Sequence, residues 1–414
     1  MATSVLDKIS HLSLGAAFDL TCAEDQSNPH EFNAITSTLK RGRLEGESEM
    51  TLKTSGGIRF PGVSHVISCG RRMPVLRVMQ TSHCQFNCKY CAFRKGIDCR
   101  REEIDPAELA FTTNEMIRAG VVEGLFLTSG IGGSIRNTMT RMIDTARILR
   151  EKHLYTGYIH MKILPGATDD LIENAGFYAD RLSVNMEAPS ESALKAIAPN
   201  KGIKANILSQ MQTIETLRRI GKIPGRVGQV TQFVVGGSDD PGASDRALIT
   251  ASEYLYRELN FRRIFYSAFN PVPGTPLEGR TPENPKRSFR LYQADRLIAL
   301  YGYKPDDFSF SEEGRMYLDT DPKVAWANAH PEKFPIDVCR ADPTELLRIP
   351  GIGPVTVKRI LQARFEGRMK TVDDLRGLVR LNRIALDWVL VNGHAPEMKK
   401  KRDRRNETQL ALPL

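Results

Sequence analysis

Apolar residues follow two alternating patterns between Arg72 and Leu300. Short apolar runs are separated by longer stretches in which apolar positions recur every three or four residues. This alternation is typical of repeated βα units, which build a parallel sheet covered by helices. The short runs predict six strands, at residues 75–81, 124–128, 158–164, 181–186, 229–235 and 263–267. Six such units predict an α/β fold, a partial (β/α)6 barrel in which chemistry gathers at the carboxyl ends of the strands.

Helix-start signals support this division. One predicted helix begins after Asp105, which is its cap, and ends at Gly120. Pro106 is at its first position and Glu108 at its third. Further helical patterns cover residues 143–149 and 288–300, and residues 5–17 carry an amphipathic pattern of their own. We therefore divide the chain into an N-terminal cap (1–70), a barrel core (71–302), a linker (303–340), a small all-α unit (341–395) and a basic, disordered tail (396–414).

Three cysteines follow the first strand of the barrel. Cys84, Cys88 and Cys91 have the spacing C-x₃-C-x₂-C, and three thiolates so placed can hold three irons of a [4Fe–4S] cube. The fourth iron would then be open to a substrate. A zinc site with His83 as fourth ligand is an alternative, although structural zinc normally takes four well-separated ligands. Ordinary reduced thiols are the other alternative.

Composition indicates the cellular compartment of the protein and the charge of its partner. Only three of the seven cysteines are clustered, which indicates a metal site in a reducing compartment rather than a disulfide framework. No apolar run reaches membrane-spanning length and the N-terminus lacks a signal-peptide pattern, so we expect a cytoplasmic protein without membrane contact. The net charge is +9, and residues 341–414 hold 15 Lys and Arg against 9 Asp and Glu. This excess favours a polyanionic partner.

The cysteine loop with its preceding strand resembles that of the radical S-adenosylmethionine (SAM) superfamily. The resemblance implies a [4Fe–4S] cluster and SAM as cofactors, an electron donor such as flavodoxin or ferredoxin, and a 5′-deoxyadenosyl radical that abstracts hydrogen. Tyr90 matches the aromatic residue that lies beside the SAM adenine. Ser129 and Gly130 match the start of the family's Gly-Gly-Glu loop, but this chain has no Glu there.

Other strand ends carry further candidate residues. His160 and Lys162 alternate on the third strand, so that either could face SAM or substrate, or have a buried structural role. Asn185 and Glu187 share a face of the predicted fourth strand and resemble the family's contacts to SAM. Gly236, in a glycine turn after the fifth strand, matches a turn that packs near SAM. The catalytic residue stays unassigned, with His160 and Lys162 as candidates.

A second motif lies near the C-terminus. Asp342, Pro343 and Glu345 predict a helix start, the sequence 350–353 (Pro-Gly-Ile-Gly) breaks the helix, and Pro354 begins another. The apolar seam predicted between the helices is Leu346, Leu347, Ile349, Val357, Ile360 and Leu361. The pattern resembles the helix-hairpin-helix of DNA-binding proteins. This resemblance implies phosphate contacts from the backbone of Gly351 and Gly353, with charge from Lys358 and Arg359.

The order of these motifs resembles a group of bacterial radical SAM proteins named for DNA modification or repair. It implies an enzyme in which the hairpin holds DNA by its phosphates while the barrel performs radical chemistry on a base or sugar. Two alternatives remain open at this point. One is the same chemistry on RNA. The other is a redox-sensing or structural DNA-binding protein whose cluster never turns over SAM.

Overall fold

The computed structural model describes residues 5–16, 52–54, 57–59, 62–68, 71–378 and 383–396. The predicted tail (396–414) lies outside this part of the chain except at Pro396, and so does most of the predicted cap (1–70). The chain divides into two compact units. Unit 1 comprises Met1–Asp295 with Phe310–Leu318, and unit 2 comprises Arg296–Ser309 with Asp319–Leu414.

Unit 1 is built on a seven-stranded sheet whose strands, in spatial order, are β3 (Val63–Ser68), β4 (Arg71–Met79), β5 (Gly124–Thr128), β6 (Tyr158–Lys162), β7 (Arg181–Ser183), β8 (Gly228–Val235) and β9 (Arg263–Ala268). Strand β3 is antiparallel to β4, and β4 to β9 are all parallel and adjacent in chain order. This is the partial barrel of the prediction, with one added antiparallel edge strand.

Two further short strands, β1 (Leu52–Thr54) and β2 (Gly57–Arg59), form an antiparallel pair in the segment predicted as a cap. The first helix, α1 (Val5–Ala16), has Ile9 and Leu12 fully buried. The other helices of unit 1 are α2 (Pro106–Arg118), α3 (Ile135–Glu151), α4 (Asp169–Tyr178), α5 (Glu191–Ile197), α6 (Ser209–Arg219), α7 (Asp245–Leu259) and most of α8 (Pro285–Tyr301).

Local signals explain why these helices begin where they do. The Asp105 carboxylate accepts a hydrogen bond from the Ala107 N–H, and Pro106 occupies the first helical position, as predicted. The side chains of Ser134, Ser190 and Ser244 cap α3, α5 and α7 in the same way. Capping side chains satisfy backbone N–H groups that have no partner within the helix.

Parallel pairing aligns the strands in register. Arg77, Phe126, His160 and Arg181 are successive partners across β4 to β7, so their side chains share one face of the sheet. The opposite face is apolar: Leu76, Leu125, Ile159 and Leu182 are fully buried. The sheet therefore has one hydrophobic face under the helices and one polar face toward the inside of the partial barrel.

Unit 2 contains most of the interval 303–340, which was predicted to be a linker. This interval holds helix α9 (Pro322–Ala329), short 3₁₀ turns and strand β10 (Ile336–Asp337). Its Trp326 is buried and contacts Tyr303 and Phe334 edge to face. The segment is thus folded, because buried aromatic residues spaced along it pack against each other.

The rest of unit 2 is mainly helical, with one short strand. It holds α10 (Pro343–Arg348), α11 (Pro354–Phe365), α12 (Val372–Leu378), α13 (Arg383–Leu386) and strand β11 (Val389–Leu390), which pairs in parallel with β10. Leu346, Ile349, Val357 and Ile360 of the predicted seam are buried in one apolar cluster, and Leu347 and Leu361 pack against it. No helix in the described ranges is both long enough and apolar enough to cross a bilayer.

Candidate functional site

The cysteine loop leaves β4 at the carboxyl edge of the sheet and is anchored there by the loop after β5. The Gly130 N–H donates to the Thr81 carbonyl at 2.8 Å, and the Ser129 hydroxyl lies within 3.4 Å of both backbone groups of Thr81. A Cβ on Gly130 would stand 2.3 Å from the His83 carbonyl oxygen and 3.2 Å from the Cys84 Cβ. Gly130 is therefore required for the two loops to approach each other.

Arg101 holds the same loop from its other side. Its Nη1 donates to the carbonyls of Ser82 at 2.6 Å and Phe93 at 2.9 Å, and its Nη2 donates to that of Arg94 at 3.0 Å. The guanidinium also lies over the Phe93 ring, 5.8 Å from its centroid. A planar fork of donors can satisfy several carbonyls that turn inward in a tight loop, and the single nitrogen of a lysine cannot reproduce that geometry.

A buried ion pair and the half-buried Tyr90 adjoin the second cysteine. The Lys201 ammonium contacts the Glu187 carboxylate at 2.8 Å, and both side chains are at most 10% exposed. The Tyr90 hydroxyl shares a hydrogen bond with Glu187, and burial together with this carboxylate raises the pKa of Tyr90 well above that of an ordinary phenol. Burial raises the pKa of the Cys88 thiol, while the nearby Lys201 acts in the opposite direction. Tyr90 and Glu187, both predicted to bind SAM, are thus brought together.

The backbone at Glu187 differs from the prediction. Strand β7 ends at Ser183, and Glu187 adopts a left-handed conformation with φ of +63°. Asn185 and Glu187 therefore do not share a strand face as expected, because alternation ends with the strand. The segment instead follows β8: the Glu187 N–H donates to the Gln232 carbonyl, and the Val234 N–H donates to the Glu187 carbonyl. Non-glycine residues held at positive φ cluster at functional sites.

His160 and Lys162 lie on the inner face of β6 and are both buried. The Lys162 ammonium donates to the Asn185 Oδ1 at 2.8 Å, and the His160 Nε2 lies 2.9 Å from the Ser183 Oγ. Burial lowers the pKa of His160 well below its usual value, and Arg181, Lys162 and Arg77 act in the same direction. His160 is therefore a neutral imidazole at physiological pH, and Lys162 with Asn185 forms a polar pair at the strand ends.

Gly236 has a positive φ of +80° in the turn after β8. A Cβ at this position would stand 2.3 Å from a carboxylate oxygen of Glu283. Glu283 in turn pairs with Arg287, whose guanidinium also contacts the fully buried Asp245 at 2.8 Å. Packing alone therefore explains a glycine at position 236, because a side chain there would collide with Glu283 and disturb its ionic network.

The residues at this edge fit a cluster by their kind and position. Cys84, Cys88 and Cys91 form no disulfide and lie in one loop, at the carboxyl ends of parallel strands where barrel enzymes place their chemistry. Among the described residues, no three His, Cys, Asp or Glu side chains converge as a ready metal-ion site. The assignment of the three cysteines as ligands thus stays a prediction, carried by spacing and position.

Comparison with protein families identifies the kind of domain that this fold and loop belong to. Residues 78–243 match the profile of the Radical SAM superfamily, so the chain contains a radical SAM domain. Members of this superfamily are enzymes that use a [4Fe–4S] cluster and SAM, the cofactors predicted from the sequence. Such enzymes also typically need an electron donor.

Particular relatives are distant. A biotin synthase from Persephonella marina is 28% identical over 161 residues, which cover 37% of this chain and 41% of that protein. The chain thus matches less than half of that relative's length. Among solved structures, HydG, the FeFe-hydrogenase maturase from Carboxydothermus hydrogenoformans, is 15% identical with a TM-score of 0.42 and covers 72% of this chain and 79% of its own. Methylornithine synthase is 12% identical with a TM-score of 0.44, with coverages of 72% and 76%.

The predicted hairpin residues lie in unit 2, in the turn between α10 and α11. Asp342 and Glu345 form the predicted capping box, each accepting from the other's backbone. Gly351 is exposed and has a φ of +81°, in the left-handed region that favours glycine. Gly353 has φ of −118°, and its Cβ would instead meet the Tyr301 hydroxyl at 2.9 Å. A side chain at Gly353 would thus displace the Tyr301 hydroxyl, and the backbone there does not require a glycine.

The basic residues predicted beside this turn are on the surface. Lys358 and Arg359 of α11 are both exposed. No described residue accepts a hydrogen bond from the N–H of Gly351 or Gly353. The second predicted hairpin, residues 371–390, contains α12 and α13, but residues 379–382 between them lie outside the described part of the chain.

Two residues important to the site were not found from the sequence. Arg101 and Lys201 both lie in loops without a motif, and their partners are set by tertiary contact. The one available signal for Arg101 was the run Asp98-Cys99-Arg100-Arg101 immediately after the cysteine loop. Lys201 had no comparable signal, because a lysine after Pro199-Asn200 is typical of an exposed turn.

Proposed function

We propose that this protein is a radical SAM enzyme that acts on DNA, in repair or in modification of a base or sugar. The barrel of unit 1 supplies the radical chemistry, and the helical hairpin of unit 2 binds the DNA backbone as a helix-hairpin-helix. The enzyme works in the cytoplasm and receives electrons from a donor such as flavodoxin or ferredoxin.

One observation supports DNA above all. The chain that contains the radical SAM domain also contains a turn with open backbone N–H groups at Gly351 and Gly353, at the start of a twelve-residue helix. Backbone N–H groups and the helix dipole at such a position attract phosphate. Lys358 and Arg359 add exposed positive charge beside it. These contacts are independent of base sequence, which suits an enzyme whose specificity is for a modified or damaged site.

In unit 1, the superfamily's cluster and SAM would be held at the carboxyl edge of the sheet, with Cys84, Cys88 and Cys91 as cluster ligands. When bound, they supply a 5′-deoxyadenosyl radical. Arg101 and Gly130 fix the cysteine loop, and Lys162 with Asn185 presents polar groups toward the inside of the barrel. A target base within a duplex would have to leave the stack to reach this edge.

The test is an anaerobic incubation with SAM and a strong reductant, using intact DNA, ultraviolet-damaged DNA and RNA in parallel. Nucleosides from each digest are compared by mass spectrometry, and 5′-deoxyadenosine is quantified in the same samples. We expect an altered nucleoside in at least one DNA sample and not in RNA.

Each of the other outcomes contradicts the proposal in a different way. An altered nucleoside in RNA alone would establish the RNA alternative. No 5′-deoxyadenosine in any sample, from protein with a full iron content, would favour the redox-sensing DNA-binding alternative. Uncoupled SAM cleavage with every nucleic acid unaltered would point to another substrate class.

A further inference from the structure

The turn between α10 and α11 is supported from behind by a buried lysine. The Lys323 ammonium, from the first turn of α9, donates to the Ile352 carbonyl at 2.5 Å. Its side chain is 7% exposed and its Nζ lies 4.8 Å from the centroid of the Tyr301 ring. Tyr301 is the same residue whose hydroxyl would meet a Cβ on Gly353. Lysine is rarely buried without a function or a partner that compensates its charge.

The contact acts on the peptide unit that the proposed DNA site uses. In a trans peptide the C=O and N–H groups are coplanar and point in opposite directions. The Ile352–Gly353 peptide directs its carbonyl to the ammonium of Lys323, so its N–H, which belongs to Gly353, points away from Lys323. A charge-assisted hydrogen bond on the carbonyl polarises the peptide and makes the N–H a stronger donor.

We propose that Lys323 is a positioning residue for phosphate binding, which fixes the Ile352–Gly353 peptide and strengthens the Gly353 N–H as a donor to a DNA phosphate. This inference rests on the proposed function, because it deepens the assignment of the hairpin as the DNA site. It extends that site to a residue 30 positions upstream, in the interval predicted to be a linker. The ligand class is a phosphodiester oxygen of duplex DNA.

The surroundings of Lys323 make its charge sensitive to pH. Burial lowers the pKa of Lys323 to about 7, Arg348 acts in the same direction, and Asp321 opposes both. Tyr301 of α8 also contacts Lys323. Two further charges lie one step away: Arg296 acts on Tyr301, and Asp307 pairs with Arg348. A neutral amine can still donate to the Ile352 carbonyl. Raising the pH through 7 therefore removes the charge and keeps the hydrogen bond.

Stability and DNA affinity must then change in opposite directions with pH. The folded-state pKa of about 7 lies below the ordinary value of 10.5, so the unfolded chain binds more protons between these two values. The free energy of unfolding therefore rises with pH from about 7 upward. DNA affinity falls over the same range, because the charge that strengthens the Gly353 N–H is lost.

The experiment measures binding of a fluorescein-labelled duplex to the full-length protein by anisotropy at constant salt. We compare the parent with Lys323→Met and Lys323→Gln at about pH 6 and about pH 8.5, on either side of the lysine's pKa. At the lower pH we expect both variants to bind about threefold more weakly than the parent, the order of one charge acting on one anion near a helix N-terminus. At the higher pH, Gln should match the parent because it keeps the hydrogen bond.

Thermal unfolding of the same samples separates electrostatics from simple misfolding. Both variants should be at least as stable as the parent at the lower pH, since they no longer bury a charge. Equal loss of affinity at both pH values together with lower stability would overturn the inference in favour of a structural lysine. A parent that binds duplex while neither variant weakens it overturns the inference alone. A parent that does not bind duplex overturns the proposed function and the inference together.

Discussion

The ion pair between Glu187 and Lys201 is the most enclosed charge contact beside the cysteine loop. Glu187 accepts from Lys201 and shares a hydrogen bond with Tyr90, in a backbone conformation that few non-glycine residues adopt. Removing one partner of a buried pair leaves the other charge without compensation, which costs far more than the pair itself contributes. Single residues here therefore have structural effects that must be separated from any role in SAM binding.

For Lys201→Met we expect a loss of about 3 kcal/mol in the free energy of unfolding, because the Glu187 carboxylate stays buried without its cation. Denaturant titration measures this change. The matched control is Lys222→Met, which breaks an exposed pair with Glu173 and should cost less than about 1 kcal/mol. The double variant Lys201→Met/Glu187→Gln should recover much of the loss. Equal effects of Lys201→Met and the control would show that the pair is not buried in solution.

Asn185→Ala is the cleaner test of the predicted SAM contact. Asn185 accepts one hydrogen bond from Lys162 and does not share the buried pair of Glu187. We expect weaker SAM binding, by about tenfold, since one hydrogen bond to a charged group is worth roughly 1.5 kcal/mol. Equilibrium dialysis with SAM measures this, and the cluster's absorption spectrum should be unchanged. Unaltered SAM affinity would remove Asn185 from the cofactor site.

At the scale of elements, the cysteine loop depends on contacts from two directions. The loop after β5 supports it through Gly130, and Arg101 holds its carbonyls from the other side. A loop that carries metal ligands must hold them in a fixed geometry, and supporting contacts of this kind commonly decide metal affinity. Arg101 and its neighbour Arg100 offer a direct comparison, since Arg100 pairs with Glu102 and has a side chain 33% exposed.

We expect Arg101→Lys to reduce the iron retained per chain after anaerobic reconstitution and desalting by roughly tenfold, since supporting contacts of this kind typically affect metal affinity 10- to 100-fold. A lysine offers one nitrogen in place of the two terminal guanidinium nitrogens that Arg101 uses, so it cannot reproduce the contacts to Ser82, Phe93 and Arg94 together. Arg100→Lys should retain iron as the parent does. Iron and sulfide assays, with circular dichroism as a folding check, provide the measurement. Equal iron in both variants would show that Arg101 does not support the ligands.

Substitution of the three cysteines is the most direct test of the predicted cluster. Changing Cys84, Cys88 or Cys91 to Ala should abolish the cube, because three thiolates hold three of its irons. Elemental analysis of reconstituted protein checks this, and the scattered Cys339→Ala serves as the control that should change nothing. One tightly bound zinc and no iron in the parent protein would establish the zinc alternative instead.

The sequence predicted the elements whose signals are local. Asp105 and Asp342 mark helix starts because a cap is formed within three residues, and the structure confirms both caps. The strands were predicted by short apolar runs, but the end of the fourth was wrong, because the segment around Glu187 bonds to β8 instead of continuing β7. Arg101 and Lys201 could not be predicted, since their partners are brought near only by the folded sheet.

At the scale of the whole molecule, charge is distributed unevenly along the chain. Residues 341–414 carry two thirds of the net charge of +9. If these charges contact phosphates, DNA binding releases counterions and weakens as salt rises. Salt dependence therefore distinguishes DNA from a protein partner, because an apolar protein bound to the hairpin would give little salt dependence.

A plot of log affinity against log salt concentration has a negative slope. The magnitude of this slope should decrease by about two in Lys358→Ala/Arg359→Ala, since each phosphate contact contributes roughly 0.9 to it. Gel-shift titrations of full-length protein over a range of salt measure it. The control Arg118→Ala/Lys222→Ala removes two exposed charges of unit 1 and should leave the slope unchanged. If the two double variants behave alike, charge is acting non-locally and the hairpin is not the DNA site.

The path of the chain between the two units decides how the protein can be divided for experiments. Phe310–Leu318 returns to unit 1 after the chain has already entered unit 2. There the buried Asp245 accepts from the Met316 N–H, and the Gly314 carbonyl accepts from the Arg246 N–H. A fragment that ends at residue 302 would lack this returning segment. The buried Asp245 carboxylate would then lose the hydrogen bond from the Met316 N–H, and we expect the fragment to fold less stably. The separate functions of the two units should therefore be tested with point variants in the intact chain and not with truncated chains.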